Sequence, residues 1–308
     1  MSNKGIHHIT AVAGDPQKNY EFYTRVLGLR LVKRTVNFDD PSAYHLYYGN
    51  ETGDPGTILT FFPWEHLQNG KPDQGQVVAV SFSIPTGSKK FWLEHLKEKD
   101  IDIEAPFSRF GKEVIGLQDP DGLHLELVLD PKADTVDGWG DGPLSKEHTI
   151  RGIHGATLAE KNYAKTGRLL EENLGFRLTK QLDNRHLYET DAQFGSFIEI
   201  IDQFELNGRP GKGTVHHIAF RAEDDGEQQA MHKKLLDKGY YLTEVKDRQY
   251  FRSVYFHEPG GILFEIATDQ PGFAIDEKPG ELGTTLKLPK WLESHRHNIE
   301  RELTKLTS

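Results

Sequence analysis

The sequence predicts an α+β protein built from four βαβββ modules, arranged as two tandem domains with curved mixed sheets. Three observations predict this class. The two halves of the chain repeat the same motifs, and each half divides into two segments with the same order of strand and helix patterns. The composition, 36% hydrophobic and 27% charged over 308 residues, is that of an ordinary globular protein long enough for two domains.

The internal repeat is visible as three motifs that recur in the same order. LGLRLVK at 27–33 returns as LGFRLTK at 174–180, HLY at 45–47 returns as HLY at 186–188, and DPDG at 119–122 returns as EPGG at 258–261. The copies are separated by 147, 141 and 139 positions. A shared order at nearly constant spacing indicates a duplication.

Each module is predicted to run strand, helix, three strands. The predicted helices cover 16–27, 89–97, 163–172 and 227–238, and Gly28 is placed to end the first of them. The predicted domains are 1–131 and 150–268, separated by a linker at 132–149 that begins in a Pro, Gly and Asp-rich run. Residues 269–308 are expected to form a polar wrap to 288 and a terminal helix over 289–306.

Two His-His doublets suggest a metal site. His7-His8 and His216-His217 each open a predicted strand, and Glu265 lies in a third predicted strand. Two histidines and one carboxylate with the remaining positions open suit a non-haem Fe(II) that binds both O2 and an organic substrate. Because neighbouring residues of a strand point to opposite faces, His8 is expected to share a face with Thr10, and His217 with Ala219.

The repeat also predicts how many metal sites to expect. Aligning the first strands of the modules matches Ala79 and His154 to the histidines, and Glu126 to Glu265. If modules one and four share a sheet, His8, His217 and Glu265 form a complete site. The second site, from Ala79, His154 and Glu126, then lacks one ligand, and we expect one metal per chain. If modules three and four pair instead, the ligands would be His154, His217 and Glu265.

Composition limits the remaining classes. A net charge of −10 without a long basic run argues against nucleic acid as a partner, and no run approaches the ~20 apolar residues that cross a bilayer. The absence of cysteine excludes disulfides and thiolate metal sites. No apolar signal core is seen near Met1, so the expected location is the cytoplasm. The sequence leaves homo-oligomerisation open.

Four βαβββ modules, with His in a first strand and Glu in a last strand, resemble the vicinal oxygen chelate superfamily of glyoxalases, bleomycin-binding proteins and extradiol dioxygenases. Within it, four runs resemble the branch that cleaves hydroquinones: HHIT at 7–10, VKRT at 32–35, YHLY at 44–47 and YFRSVY at 250–255. The resemblance extends over about residues 5–288.

This resemblance implies an Fe(II)-dependent ring-cleaving dioxygenase acting with O2 on a small hydroquinone-type substrate, although the same ligand set accepts Mn(II). It favours His8, with ligands drawn from the two ends of the chain. It implies that Tyr255 donates to the ligated oxygen, that Arg248 lies in the active site, and that Thr10 makes a small polar contact. His7 is either a support for His8 or a pocket residue. His45 and His186 are interpreted as structural because they recur together.

Two alternative activities remain at this stage: an extradiol catechol dioxygenase, and a glyoxalase-like lyase or isomerase. The second normally needs a further carboxylate, and the last strand of module one, near 57–62, contains none. The sequence does not specify the ring substituents of the substrate, or whether the reaction serves detoxification or growth on aromatic compounds.

Overall fold

The computed structural model describes residues 4–202 and 208–307, which form sixteen strands and five α-helices. The strands are β1 Ile6–Ala13, β2 Arg30–Asn37, β3 Asp40–Gly49, β4 Ile58–Pro63, β5 Gln76–Ile84, β6 Phe107–Arg109, β7 Lys112–Gln118, β8 His124–Leu129, β9 Gly152–Glu160, β10 Arg177–Leu182, β11 Arg185–Glu189, β12 Phe197–Asp202, β13 Thr214–Ala222, β14 Lys246–Asp247, β15 Phe251–His257 and β16 Leu263–Pro271. The helices are α1 Pro16–Glu21, α2 Lys89–Glu98, α3 Tyr163–Asn173, α4 Asp225–Asp237 and α5 Arg296–Glu302.

The strands form two eight-stranded mixed sheets, and each sheet combines modules from opposite halves of the chain. Sheet one has the order β14-β15-β16-β13-β1-β4-β3-β2, and sheet two has the order β10-β11-β12-β9-β5-β8-β7-β6. Modules one and four therefore share sheet one, while modules two and three share sheet two. The α+β class with four βαβββ modules is confirmed, and the strand order is the first of the two pairings considered.

Two antiparallel contacts join the modules at the centre of the sheets. β1 pairs with β13 in sheet one, and β5 pairs with β9 in sheet two. Apolar side chains from both sheets and from the helices form one continuous core, which includes the fully buried Trp92 of α2. Among the described residues, no helix is both long and apolar enough to cross a bilayer.

The first helix shows how local sequence sets the element boundaries. Asp15 caps α1 by accepting hydrogen bonds from the backbone N–H groups of Gln17 and Lys18, and Pro16 occupies the first turn, where its missing N–H is not needed. The helix continues to Val26 as a π-helical turn, close to the predicted end. Gly28 then adopts φ +69°, a conformation that favours glycine.

The C-terminal strap, residues 269–288, is bound to the outer strand of sheet one. The buried ammonium of Lys33 on β2 forms ion pairs of 2.5 Å with both Asp276 and Glu277. The backbone N–H of Lys287 donates to the carbonyl of Arg34. Because β2 is the last strand of its sheet, the strap covers backbone groups that would otherwise form an open edge.

The terminal helix is shorter than predicted. Only Arg296–Glu302 is α-helical, and Leu303 is extended with ψ 136°. Ile299, Leu303 and Leu306 are nevertheless buried, as their spacing predicted. About two helical turns followed by extended chain bring these apolar residues to the core, so their burial does not require a helix over the whole segment.

Two buried carboxyl groups meet where module three contacts module four. Glu160 ends β9, and Glu258 begins the turn between β15 and β16. Burial, together with the neighbouring charge of Glu258, raises the pKa of Glu160 to about 8. Glu258 accepts hydrogen bonds from the Thr166 hydroxyl and from the backbone N–H of Ile262, whereas Oε1 of Glu160 has no hydrogen-bond partner among the described residues.

Replacing Glu160 with glutamine should make folding less sensitive to pH. The unfolded carboxyl releases its proton near pH 4.5, whereas the folded one retains it to about pH 8. Stability of the parent protein should therefore fall as pH rises from about 4.5 to about 8 and should not change above that range. Glu160→Gln removes this contribution. Urea unfolding at pH 5 and pH 8 measures it, with the exposed Glu98→Gln as the control; an unchanged pH dependence in Glu160→Gln would contradict the assignment.

Candidate metal centre

Three adjacent strands of sheet one bring the predicted ligands together. In the order β16-β13-β1, Glu265 lies beside Ala219, and Ala219 lies opposite His8. His217 lies opposite Thr10, two residues along each strand. The two ends of the polypeptide therefore meet at one place because β1 and β13 are hydrogen-bonded neighbours.

The three ligand atoms converge. Nε2 of His217 lies 2.9 Å from Oε2 of Glu265, Nε2 of His8 lies 3.5 Å from the same oxygen, and the two Nε2 atoms are 3.4 Å apart. Metal–ligand bonds of about 2.1 Å place neighbouring ligand atoms about 3.0–3.4 Å apart. The three residues thus fit three adjacent positions around one divalent ion. They are the one cluster of at least three such ligands found in residues 4–202 and 208–307.

An orphaned polar atom supports the same assignment. Oε2 of Glu265 is buried and faces the Nε2 atoms of His8 and His217 without a well-aligned hydrogen bond, while Oε1 accepts a hydrogen bond of 2.5 Å from the Ser253 hydroxyl. Burial alone would raise the pKa of Glu265, but the adjacent His8 and His217 hold it well below its usual range. The carboxylate is therefore ionised and directed at the point where a cation would be bound.

The outer histidine of each doublet orients the inner one. Nδ1 of His7 lies 2.9 Å from Nδ1 of His8, and Nδ1 of His216 lies 2.8 Å from Nδ1 of His217. If each inner histidine donates its Nδ1–H, its Nε2 lone pair is directed at the centre. The pairing of β1 with β13 is irregular at both outer histidines. His7 is skipped between the paired residues Ile6 and His8, and His216 is skipped between the paired residues Val215 and His217. Such bulges re-aim side chains beside sites.

A cavity of about 470 Å³ opens onto the three ligands, within the usual size of a small-molecule site. Its aromatic lining comes largely from module one, and polar groups of β2, β14 and β15 lie nearby. The lining includes Phe38, Asp39, His45, Tyr47, Phe62, Trp64, His216, Lys246, Arg248, Phe251 and Tyr255. The cavity is therefore built by both modules of sheet one.

Arg248 and Tyr255 form one unit in this lining. Nε of Arg248 donates to the Tyr255 hydroxyl oxygen at 3.1 Å, and Nη2 of Arg248 donates to Asp39 at 2.8 Å. Burial raises the pKa of Tyr255, and Glu265 raises it further. Tyr255 is therefore protonated at neutral pH. Because its oxygen accepts from Arg248, its proton is directed to another acceptor.

Thr10 and His7 lie beside the centre rather than in the cavity lining. The Thr10 hydroxyl is 2.8 Å from the Thr60 hydroxyl, and Thr60 is 2.8 Å from Nε2 of His45. The ring of His7 packs edge-on against Phe251, with centroids 5.3 Å apart. Burial lowers the pKa of His7 well below its usual range, so His7 is neutral.

His45 was interpreted as structural, but the structure places it in the cavity lining. Register explains the difference. Tyr47 pairs with Thr60 on β4, and Leu187 pairs with Glu199 in the equivalent hairpin, so the equivalent of His45 is Arg185 and not His186. The repeated HLY motif is offset by one residue between the copies. His186 accordingly stacks on Tyr163, with ring centroids 3.5 Å apart.

The second, pseudo-equivalent site differs from the expected one by the same kind of offset. Ala79 matches His217 as expected, because Ser81 pairs with Glu126 as Ala219 pairs with Glu265. Ser81 faces Gly155, however, so Gly155 and not His154 stands at the position of His8. Two ligands are missing rather than one. His154 instead bonds Asp130 at 3.0 Å, so the alternative ligand set with His154 is not formed.

The sequence profile of the glyoxalase, bleomycin resistance protein and dioxygenase superfamily matches residues 5–127 and 152–266. The fold and the convergent His-His-Glu cluster define a double-repeat member of this class, and the chain belongs to that superfamily.

Individual relatives refine the comparison. MhqO of Bacillus subtilis, named as a candidate ring-cleaving dioxygenase, is 44% identical over 97% of this chain and 95% of its own. The chlorohydroquinone/hydroquinone 1,2-dioxygenase of Sphingobium indicum is 32% identical over 97% of this chain and 96% of its own.

Solved structures agree on the fold. A crystal structure titled as a candidate dioxygenase from Bacillus subtilis superposes with a TM-score of 0.94 at 43% identity, covering 99% of this chain and 98% of that one. Glyoxalase I of maize superposes with a TM-score of 0.63 at 14% identity over 86% of this chain and 92% of its own, a likeness of fold alone.

Replacing His217 with alanine should abolish tight binding of one divalent ion, because it removes one of three ligand atoms. His154→Ala should leave that binding unchanged, since His154 lies on the other sheet. Metal content after equilibration with Fe(II) under nitrogen measures both, with circular dichroism confirming the fold. Iron lost from His154→Ala but retained by His217→Ala would show that the ligand set is wrong.

Replacing His216 with phenylalanine should weaken divalent-ion affinity about 10–100-fold without abolishing it, since it removes the group that orients His217. His257, which is exposed and bonds the carbonyl of Gly261, provides the matched control as His257→Phe. Competition with a chelator measures the dissociation constant. Equal affinity in the two variants would show that the outer histidine does not orient its neighbour.

Proposed function

We propose that this protein is an Fe(II)-dependent dioxygenase that uses O2 to open the ring of a hydroquinone-type aromatic substrate. The observation that carries the proposal is the convergence of His8, His217 and Glu265 on one point at the floor of an aromatic-lined cavity. Among residues 4–202 and 208–307, three ligand atoms converge on that point, which is the arrangement expected where both O2 and an organic molecule must bind.

The donor set suits the proposed metal. Two neutral imidazoles and one carboxylate leave a divalent cation with one net positive charge, which favours an anionic oxygen ligand. When bound, Fe(II) would supply vacant positions for O2 and for a substrate hydroxyl, together with a path for electrons between them. Mn(II) fits the same three atoms, and the assay described below distinguishes the two metals.

Tyr255 and Arg248 are assigned the role of stabilising the negative charge that develops on a substrate oxygen. Tyr255 keeps its proton at neutral pH and directs it away from Arg248, so it can donate to an oxygen at the cavity floor. The guanidinium of Arg248, fixed by Asp39, places a positive charge behind that hydroxyl. Prearranged donors of this kind stabilise an anion without reorganising during the reaction.

The aromatic lining is assigned to holding the ring. Phe62 lies between His45 and Trp64, with centroids 4.4 Å and 5.1 Å away, and Phe251 lies 5.0 Å from His8. Flat side chains on two sides of the ligand point favour a planar substrate over a flexible one. Two relatives named as a ring-cleaving dioxygenase and a hydroquinone dioxygenase support the same substrate class.

The glyoxalase-like alternative is disfavoured by one position. Thr60 stands beside Thr10 as Glu265 stands beside Ala219, so Thr60 occupies the place where a fourth, carboxylate ligand would come from β4. A hydroxyl that is already bonded to Thr10 and His45 does not act as the carboxylate base that such isomerases need. The catechol alternative shares the ligand set and is separated only by substrate.

Oxygen consumption by protein reconstituted with Fe(II) under nitrogen tests the proposal. Uptake with hydroquinone and not with catechol supports it. Uptake with catechol alone would assign the chain to the catechol-cleaving class, and uptake with neither would reject an oxygenase. Repeating the assay with Mn(II) in place of Fe(II) identifies the working metal.

Tyr255→Phe should lower kcat for hydroquinone about 100-fold, the usual effect of removing one prearranged donor, while iron content stays at the parent level. Tyr44→Phe, a buried tyrosine outside the cavity lining, is the matched control and should retain activity. Initial rates of oxygen uptake against substrate concentration separate kcat from KM. A kcat within about twofold of the parent would remove Tyr255 from the proposal.

A further inference from the structure

Sheet two carries a second cavity at the place that corresponds to the metal centre of sheet one. Its volume is about 320 Å³, and modules two and three build it together. The lining combines apolar and charged side chains: Ser81, Arg109, Phe110, Lys112, Val114, Val128, Asp130, Pro131, Lys132, His154, Gly155, Ala156, Thr157, Lys180, Leu187, Glu189, Phe197 and Glu199. Nothing in the proposed dioxygenase chemistry uses this cavity.

In this cavity two of the three positions equivalent to the candidate metal ligands carry no ligand, and an arginine lies nearby. Ala79 and Gly155 stand where sheet one has His217 and His8, and a Cβ on Gly155 would meet the Phe197 carbonyl oxygen at 2.2 Å. Arg109 is the register equivalent of Arg248, since Arg109 is the last residue of β6 and Arg248 directly follows β14 at the same step of the hairpin. Its guanidinium bonds both oxygens of Glu126 and lies 3.0 Å from Glu199. A fixed cation thus lies beside Glu126, the equivalent of Glu265.

The charged side chains of the lining are four cations, Arg109, Lys112, Lys132 and Lys180, and three carboxylates, Asp130, Glu189 and Glu199. Lys112 is paired with Asp130 at 2.9 Å, and Arg109 is paired with two carboxylates. Lys132 and Lys180, by contrast, form no ion pair with any residue in the part of the chain that the structure describes. Both ammonium groups donate to neutral acceptors. Lys132 donates to the carbonyl of Ala192 at 2.9 Å, and Lys180 donates to the carbonyl of Phe110 at 3.0 Å.

The rings of His154 and Phe197 form an aromatic wall, and the ammonium groups of Lys112 and Lys132 lie 4.4 Å and 5.4 Å from the centroid of Phe197. The rings of His154 and Phe197 stack with centroids 4.2 Å apart and planes 20° from parallel. Burial lowers the pKa of His154 to about 4, so the ring is neutral. Nδ1 of His154 faces Asp130, which places the proton on Nδ1 and leaves Nε2 as a hydrogen-bond acceptor. Val114 and Val128 add apolar surface.

We propose that this second cavity is a metal-independent binding site for a small aromatic carboxylate. Lys132 and Lys180 hold the carboxylate, the ring lies against Phe197 and Val128, and a ring hydroxyl donates to Nε2 of His154. An anion satisfies the two ammonium groups that have only neutral partners, whereas a cation would meet them as like charges. The site is separate from the metal centre because it lies on the other sheet.

Calorimetric titration of the full-length protein with 4-hydroxybenzoate tests the site, with 4-hydroxybenzamide as the neutral analogue. The carboxylate should bind saturably, and the amide should bind at least about tenfold more weakly, as expected when one charge interaction is removed. Lys132→Gln combined with Lys180→Gln should weaken 4-hydroxybenzoate binding about tenfold or more. Lys180 is exposed and Lys132 half-buried, so the variant should fold normally.

Lys246→Gln is the matched control, since Lys246 lines the cavity of sheet one. It should leave 4-hydroxybenzoate affinity unchanged, as should His217→Ala. The double lysine variant should also keep the parent rate of oxygen uptake with hydroquinone, so a failed dioxygenase assay and a failed binding assay are separate results. The proposal is overturned by no saturable binding below about 10 mM, by equal affinity in the double variant, or by loss of binding in Lys246→Gln or His217→Ala.

Discussion

The antiparallel pairing of β1 with β13 is the constraint on which the rest of the structure depends. It joins the first module of the chain to the last and so brings His8 and His217, 209 residues apart, to Nε2 atoms separated by 3.4 Å. The same pairing places β16 one strand further out, where Glu265 reaches both histidines. Without this pairing, the three ligands would lie on strands that do not meet.

Such a cluster is costly to build, and its surroundings show how the cost is offset. A buried carboxylate loses several kcal/mol of hydration unless it is paired and hydrogen-bonded. Here Ser253 bonds one oxygen of Glu265, and two imidazoles face the other. Each of those imidazoles is in turn held by the histidine beside it. Binding of a cation would complete an arrangement that the protein has already ordered, so metal affinity and stability are linked.

The two sheets show how one duplicated framework supports two different sites. Both sites have a glutamate, Glu265 in sheet one and Glu126 in sheet two. Both also have an arginine, Arg248 after β14 and Arg109 at the end of β6. What differs is the partner of the arginine. Arg248 bonds Tyr255 and Asp39, whereas Arg109 bonds Glu126 itself. Gly116 occupies the register position of Tyr255, so sheet two has no hydroxyl at that place, and the side chain of Glu104 lies beside the glycine instead. Where sheet one has two histidines and a tyrosine around its glutamate, sheet two has Ala79, Gly155 and Gly116, and its glutamate is paired with an arginine.

By itself the sequence predicted the repeat, the α+β class, the starts of α1, α2 and α3, and the three residues that converge in the candidate metal site. Those follow from local patterns: periodicity, capping residues and doublets that recur at strand starts. It aligned His154 with His8, and His45 with His186, one residue out of register, and a shift of one residue in a strand moves a side chain to the opposite face.

Only the tertiary structure decided which modules share a sheet, and with that which residues line each cavity. Bulges at the two outer histidines and unequal hairpins are set by pairing between distant strands, and no local pattern encodes them. The aromatic lining of the first cavity and the cationic lining of the second therefore became visible only once the register was known.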